Sequence, residues 1–191
     1  MIIVCPDIDN SRGINSSPVT SEIKDPGEGK TTINLGMYED YFLQEVVPTA
    51  DRMYRIVKDR SARFIGGVSG GGYAALHYAF RNPDMFSKVG GHMPALEVVL
   101  KDDDRPFYSD ITVWEKYDPV TIAKMSDRMS GIDVYLDAGE MDDGQFYEGC
   151  GVLHENLKRK GIKSGNHVFP GRHDLTYIRS NMEKYLRFYG A

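Results

Sequence analysis

The sequence predicts an α/β protein built on a mostly parallel sheet with helices on both faces. Three observations predict it. Short apolar runs alternate with segments of helical periodicity, as they do where strands are buried on both faces. One of those runs, in "FIGGVSGGGYAAL", passes through a glycine-rich turn directly into a helix of small residues. No repeat or linker composition divides the 191 residues, a length that suits one domain spanning 1–191.

Taken in order, strands are expected at Ile2–Val4, Phe64–Val68, Lys88–Met93, Val134–Asp137 and His167–Phe169, each bounded by turn residues. Helices are expected at Tyr38–Arg55, Gly72–Phe80, Pro119–Met125, Gly151–Lys160 and Leu175–Tyr189. The fourth helix ends in "LKRKG", with basic residues in its last turn and a glycine stop. "DNSRGINSSPVTSEIKDPGEGKTTINLG" reads as a long polar loop after the first strand. "LKDDDRPFYSDITVWEKYDP" reads as a loop insertion near 101–118. Both loops follow strands, and in open α/β sheets the carboxyl ends of strands build the site.

Composition removes several function classes. The formal net charge of -5 with no basic run argues against a nucleic-acid partner. No apolar stretch approaches the ~20 residues that span a bilayer, so no membrane role is expected. Cys5 and Cys150 read as free thiols, since two cysteines make no disulfide framework. "GEGKTT" imitates a phosphate-binding loop, but the glycine needed five residues before Gly29 is Lys24. Asp102–Asp104 read as a solvated turn rather than a calcium loop. "MIIVCPD" has no charged leader and no cleavage site, so it is read as a strand rather than a signal peptide. The compartment stays open: secreted or periplasmic if a signal lies upstream, otherwise cytoplasmic.

Gly67-Val68-Ser69-Gly70-Gly71 satisfies G-x-S-x-G between a strand and a helix, the context in which that motif carries a nucleophile. The turn lifts the Ser69 hydroxyl above the sheet edge and aims the first helical amides, Gly70 N–H among them, at a developing oxyanion. The competing reading is a phosphate-type turn in which Ser69 only caps the helix. A serine nucleophile needs a base and a group that orients the base. Chain order in α/β-hydrolases is serine, acid, histidine. Of the five histidines, His173 follows the last strand at the edge that carries Ser69. His77 and His154 lie on helices, His167 lies at a strand start, and His92 is placed to line a pocket. Asp142 is the preferred acid, with Asp143 and Asp137 as alternatives. Trp114 is a candidate aromatic wall for an aryl or sugar group, against the plainer reading of a packed loop anchor.

These residues resemble the esterase family of α/β-hydrolases that includes esterase D (S-formylglutathione hydrolase), feruloyl and acetyl-xylan esterases and mycolyltransferases. The similarity is closest to the feruloyl and acetyl-xylan branch. It is carried by "IIVCPD", "YEDYFLQEVVPTADRMYR", "GGVSGGGYAALHYAFRNPDMFSKVGG", "LDAGEMDD" and "PGRHDLTYIR". The resemblance implies an α/β-hydrolase fold and a serine carboxylesterase that needs no cofactor or metal. Its partner would be a small-molecule or carbohydrate ester. It also implies that the acid follows a glycine by three residues, as Asp142 follows Gly139, and that His92 replaces a residue usually small or hydroxylic. Family members carry an earlier strand whose loop supplies a second oxyanion donor, and that strand would lie between Ile2–Val4 and Phe64–Val68. The chain is therefore expected to be an N-terminally truncated form of the fold, with a strand edge open to self-association. A non-catalytic or acyltransferase member of the same fold is the alternative function.

Overall fold

The computed structural model describes residues 1–24, 31–102 and 104–190. An antiparallel hairpin comes first in the chain, β1 (Asn15–Lys24) paired with β2 (Thr31–Met37). This corrects the expected long loop; the part of "GEGKTT" before Thr31 lies outside the described residues. Ile2–Val4 forms no strand. Ile3 is 69% exposed, and none of the three residues is paired in a sheet. An apolar run becomes a strand only when a neighbour satisfies its backbone groups, and here no described strand lies beside it.

A helical segment follows as α1 (Tyr38–Asp40), a wider π stretch at Tyr41–Val46, and α2 (Val47–Met53). Pro48 sits at the junction, where its missing N–H and its ring disfavour the tighter register. The main sheet then forms from β3 (Phe64–Val68), β4 (Lys88–His92), β5 (Asp133–Gly139) and β6 (Ser164–Phe169). Its strands run parallel in the order β3-β4-β5-β6. Between them lie α3 (Gly70–Arg81), α4 (Ile111–Tyr117), α5 (Pro119–Met125) and α6 (Phe146–Arg159), and α7 (Leu175–Gly190) closes the chain. Each crossover through a helix brings the chain back parallel, as the sequence predicts.

Helices cover both faces. Leu76, Ala79 and Phe80 of α3 pack with Val89, Val134 and Leu136 of the sheet and with Leu153 and Leu157 of α6 in the larger core. Full burial of one such leucine stabilises the fold by roughly 1.5–3 kcal/mol. The opposite face carries a smaller, aromatic cluster in which Tyr177, Ile178 and Tyr185 of α7 meet Met93 and Tyr135. The expected insertion near 101–118 is largely ordered: a short turn of helix at Arg105–Phe107 leads into α4. Asp104 is not solvated as expected; it is buried and paired with Arg12. Among the described residues, no helix is long and apolar enough to cross a membrane.

Candidate active site

Strand register sets the geometry of the carboxyl edge. Val68, His92, Asp137 and His167 stand opposite one another in successive strands, so the chain segments beyond them emerge at one level. Ser69 is the first residue past this row on β3. It holds φ 53° and ψ −121°, a left-handed backbone in which a non-glycine residue is strained. Surrounding hydrogen bonds hold it there. Ser69 N–H donates to the His92 carbonyl at 3.1 Å, and the Ser69 carbonyl accepts from Tyr73 and Ala95 amides, each at 3.0 Å. Gly67 permits the turn's close packing, because a Cβ there would stand 2.3 Å from the Gly71 carbonyl oxygen. The Ser69 side chain makes no capping bond to α3, so the hydroxyl is not spent as the helix cap of the competing reading.

The first amides of α3 have no intrahelical acceptors, and Gly70 N–H is among them. The guanidinium of Arg12 closes the open side of Gly70. Its Nη1 would lie 3.6 Å from a Cβ placed on that glycine. Arg12 is itself held in a left-handed conformation at φ 58°. Its side chain pairs with Asp104 and stacks over Phe107, 5.1 Å from the ring centre. His77 Nε2–H donates to the Arg12 carbonyl at 3.3 Å, and the Tyr78 hydroxyl to the Gly13 carbonyl at 2.6 Å. Sequence analysis missed Arg12, and no local pattern marks it.

Asp142 and His173 come from the loops after β5 and β6. The Asp142 carboxylate is fully buried, while the His173 side chain stays 27% exposed. His173 Nδ1–H donates to Asp142 Oδ2 at 2.9 Å, and Oδ1 of the same carboxylate accepts from Gly144 N–H at 2.9 Å. This fixes the tautomer and leaves His173 Nε2 as an acceptor. Phe146 meets the imidazole edge to face at 5.3 Å. The two loops are stitched together: Met141 N–H donates to the Gly171 carbonyl at 3.0 Å. Gly139 must lack a side chain for this approach, since its Cβ would lie 2.4 Å from the Gly171 oxygen.

Of the alternative acids, Asp143 is exposed and its nearest cation is Arg172 at 3.9 Å. Asp137 is fully buried and faces His92. His92 is therefore not a pocket residue. It is 5% exposed and turned to the α7 face, where register places it against Asp137. Trp114 is 8% exposed within the larger core, on an α4 capped by Asp110, and so serves as packing rather than as an exposed aromatic wall. Cys150 is free and buried, with burial raising its thiol pKa, and Cys5 is free and exposed. A cleft of about 630 Å³ lined by Asp127, Asp133, Lys160 and Lys163 lies at the amino edge of the sheet, away from Ser69.

The fold has counterparts among known proteins. A ferulic acid esterase is 25% identical over 81% of this chain, with a TM-score of 0.69, and the match covers 61% of that enzyme. The fluorophosphonate-binding serine hydrolase FphF of Staphylococcus aureus superposes with a TM-score of 0.75 at 18% identity, over 97% of this chain and 70% of its own. An S-formylglutathione hydrolase from Agrobacterium tumefaciens gives a TM-score of 0.70 at 19% identity, over 92% of this chain and 68% of its own. The last two likenesses show the α/β-hydrolase fold. The family described as "Putative esterase" matches residues 1–189, and with the elbow at Ser69 in its strand-to-helix context, the chain belongs to that family.

Proposed function

We propose that the chain is a serine carboxylesterase acting through Ser69, His173 and Asp142, on an acyl or feruloyl ester of a carbohydrate. One observation carries the reading. A serine in a strained turn stands at the same sheet edge as a histidine whose free nitrogen is set by a buried carboxylate. The substrate class rests on the likeness to a ferulic acid esterase.

The chemistry follows from the residues. His173 Nε2 takes the Ser69 proton as Oγ attacks the ester carbonyl carbon, and the carbonyl π electrons move to oxygen. The oxyanion is met by Gly70 N–H at the positive end of α3. Collapse expels the alcohol, which leaves with the proton held on His173. Water then attacks the acyl-enzyme with His173 again as base, and Ser69 is regenerated. Asp142 keeps the imidazole oriented and stabilises its cationic form.

Labelling the chain with a fluorophosphonate probe, read by intact mass beside Ser69→Ala, tests this. Stoichiometric labelling lost in Ser69→Ala is expected, followed by hydrolysis of feruloyl or acetyl esters. A folded wild-type chain that takes no probe and hydrolyses neither ester would overturn the reading in favour of a non-catalytic member of the fold. Labelling with acyl transfer to a sugar outpacing release to water would move it to an acyltransferase.

A further inference from the structure

Behind the proposed triad, on the α7 face of the sheet, lies a second polar cluster that the reaction does not use. Asp137 is its centre and is fully buried. Oδ1 accepts from His92 Nδ1–H at 3.0 Å, and Oδ2 accepts from the hydroxyls of Tyr177 and Tyr185, each at 2.8 Å. The Tyr189 hydroxyl lies 3.1 Å from His92 Nε2, and the Tyr185 ring stacks on the imidazole at 3.7 Å between centres. Burial, then the charge of Asp137, raises the pKa of Tyr177 and Tyr185, so both stay protonated donors.

Asp137 and Tyr177 belong to segments that deliver one triad residue each, and His92, on β4, is hydrogen-bonded to the backbone of the third, Ser69. We propose that Asp137, His92 and Tyr177 form a positioning hub that sets the three triad-bearing segments in register with one another. The inference rests on the triad reading above. His92 holds the hub with its ring and the nucleophile with its backbone, since its carbonyl accepts from Ser69 N–H at 3.1 Å. Asp137 lies on the strand that continues through Gly139 into Asp142, and Asp142 N–H donates back to the Gly139 carbonyl at 3.2 Å. The Asp137 carbonyl also accepts from Met93 N–H at 2.7 Å, so β4 and β5 stay locked beyond their last paired residues. Tyr177 underlies the base. Its N–H donates to Asp174 Oδ1 at 2.9 Å, and its ring fills the space beside Gly171, where a Cβ would meet it at 2.8 Å. His173 thus sits in a loop clamped on either side by Tyr177.

An apolar cluster of similar volume would stabilise this face at least as well, because burying polar groups costs desolvation. What hydrogen bonds add is direction. A carboxylate with two or three fixed donors admits little sliding of β4, β5 or α7, and a misplacement of ~1 Å at reacting groups costs about 10²-fold in rate.

Tyr177 and Tyr185 supply a matched pair for the test. Both hydroxyls donate to the same oxygen at the same distance, and both side chains are buried. Only Tyr177 touches the His173 loop. Tyr177→Phe and Tyr185→Phe are compared by Tm, by the rate of fluorophosphonate labelling at Ser69, and by kcat and KM on the best ester found. Similar losses in Tm are expected, with Tyr177→Phe alone slowing labelling and kcat by about tenfold or more at little-changed KM. Equal rates in the two variants beside a wild type that labels normally would overturn the hub and leave the triad reading standing. A wild type that takes no probe would overturn both.

Discussion

Two histidine–carboxylate pairs of the same composition lie in one sheet, and their surroundings make them different objects. His173–Asp142 sits on loops beyond the strands, its imidazole 27% exposed with one nitrogen free. His92–Asp137 sits on the strands themselves, sealed under α7, with ring and carboxylate surrounded by tyrosine hydroxyls. The first pair can hand a proton to something that arrives; the second has no room for an arrival. A histidine beside an aspartate is therefore evidence of catalysis only when one face of the imidazole is open at the edge where the nucleophile stands.

The comparison breaks most sharply on the two carboxylates. Asp142→Asn is expected to lower kcat about 10⁴-fold, because an amide no longer selects the working tautomer of His173 or supports its cationic form. The melting temperature should move little, since Gly144 N–H keeps an acceptor. Steady-state kinetics and thermal unfolding on one preparation check this. Asp142→Asn retaining wild-type turnover while Asp137→Asn abolishes it would exchange the roles assigned to the two pairs.

Asp137→Ala should reverse the pattern. It strips the acceptor from His92, Tyr177 and Tyr185, all of them buried. Removing one partner from such a buried group costs about 3–5 kcal/mol. Denaturant unfolding should show that loss, with Asp137→Asn milder because the amide oxygen still accepts. A change below about 1 kcal/mol in Asp137→Ala would mean the cluster is more hydrated than its burial indicates.

What the sequence made legible follows the same physical division. β3 through β6 fall within a few residues of their expected places, because each is a short run bounded by turn residues, although only β4 and β5 are buried along most of their length. The placement of Ser69 and His173 at one sheet edge was readable because local spacing and the order of strands define it. The hairpin was not, because its apolar residues are scattered among Ser and Thr, although "DPGEG" between them is turn chemistry. Asp137 was left as a rival acid because only register shows which face it occupies and that His92 stands opposite. Arg12 was invisible for a related reason. Its partner Asp104 is 92 residues away, and no periodicity encodes a contact at that range.

A third histidine sharpens the contrast with the smallest expected effect. His77 is fully buried on α3, and no carboxylate is among its ring's partners. Burial, with a lesser push from the Arg81 charge, lowers its pKa to about 3 despite its bond to the Arg12 carbonyl. In the unfolded chain it titrates near 6.5. Between those values the unfolded state binds a proton that the folded state does not. Its contribution is thus fully present above pH 6.5 and declines as pH falls toward 3, by up to about 1.4 kcal/mol per pH unit. Urea unfolding at pH 7.5 and pH 5.5 should therefore show a loss of about 1.4 kcal/mol in the wild type from this residue, and His77→Gln should remove that part of the difference. Parallel pH dependences in wild type and His77→Gln would place the acid sensitivity elsewhere. A confirmed difference would show what burial without a carboxylate does to His77, the one of the three histidines whose ring has no carboxylate partner.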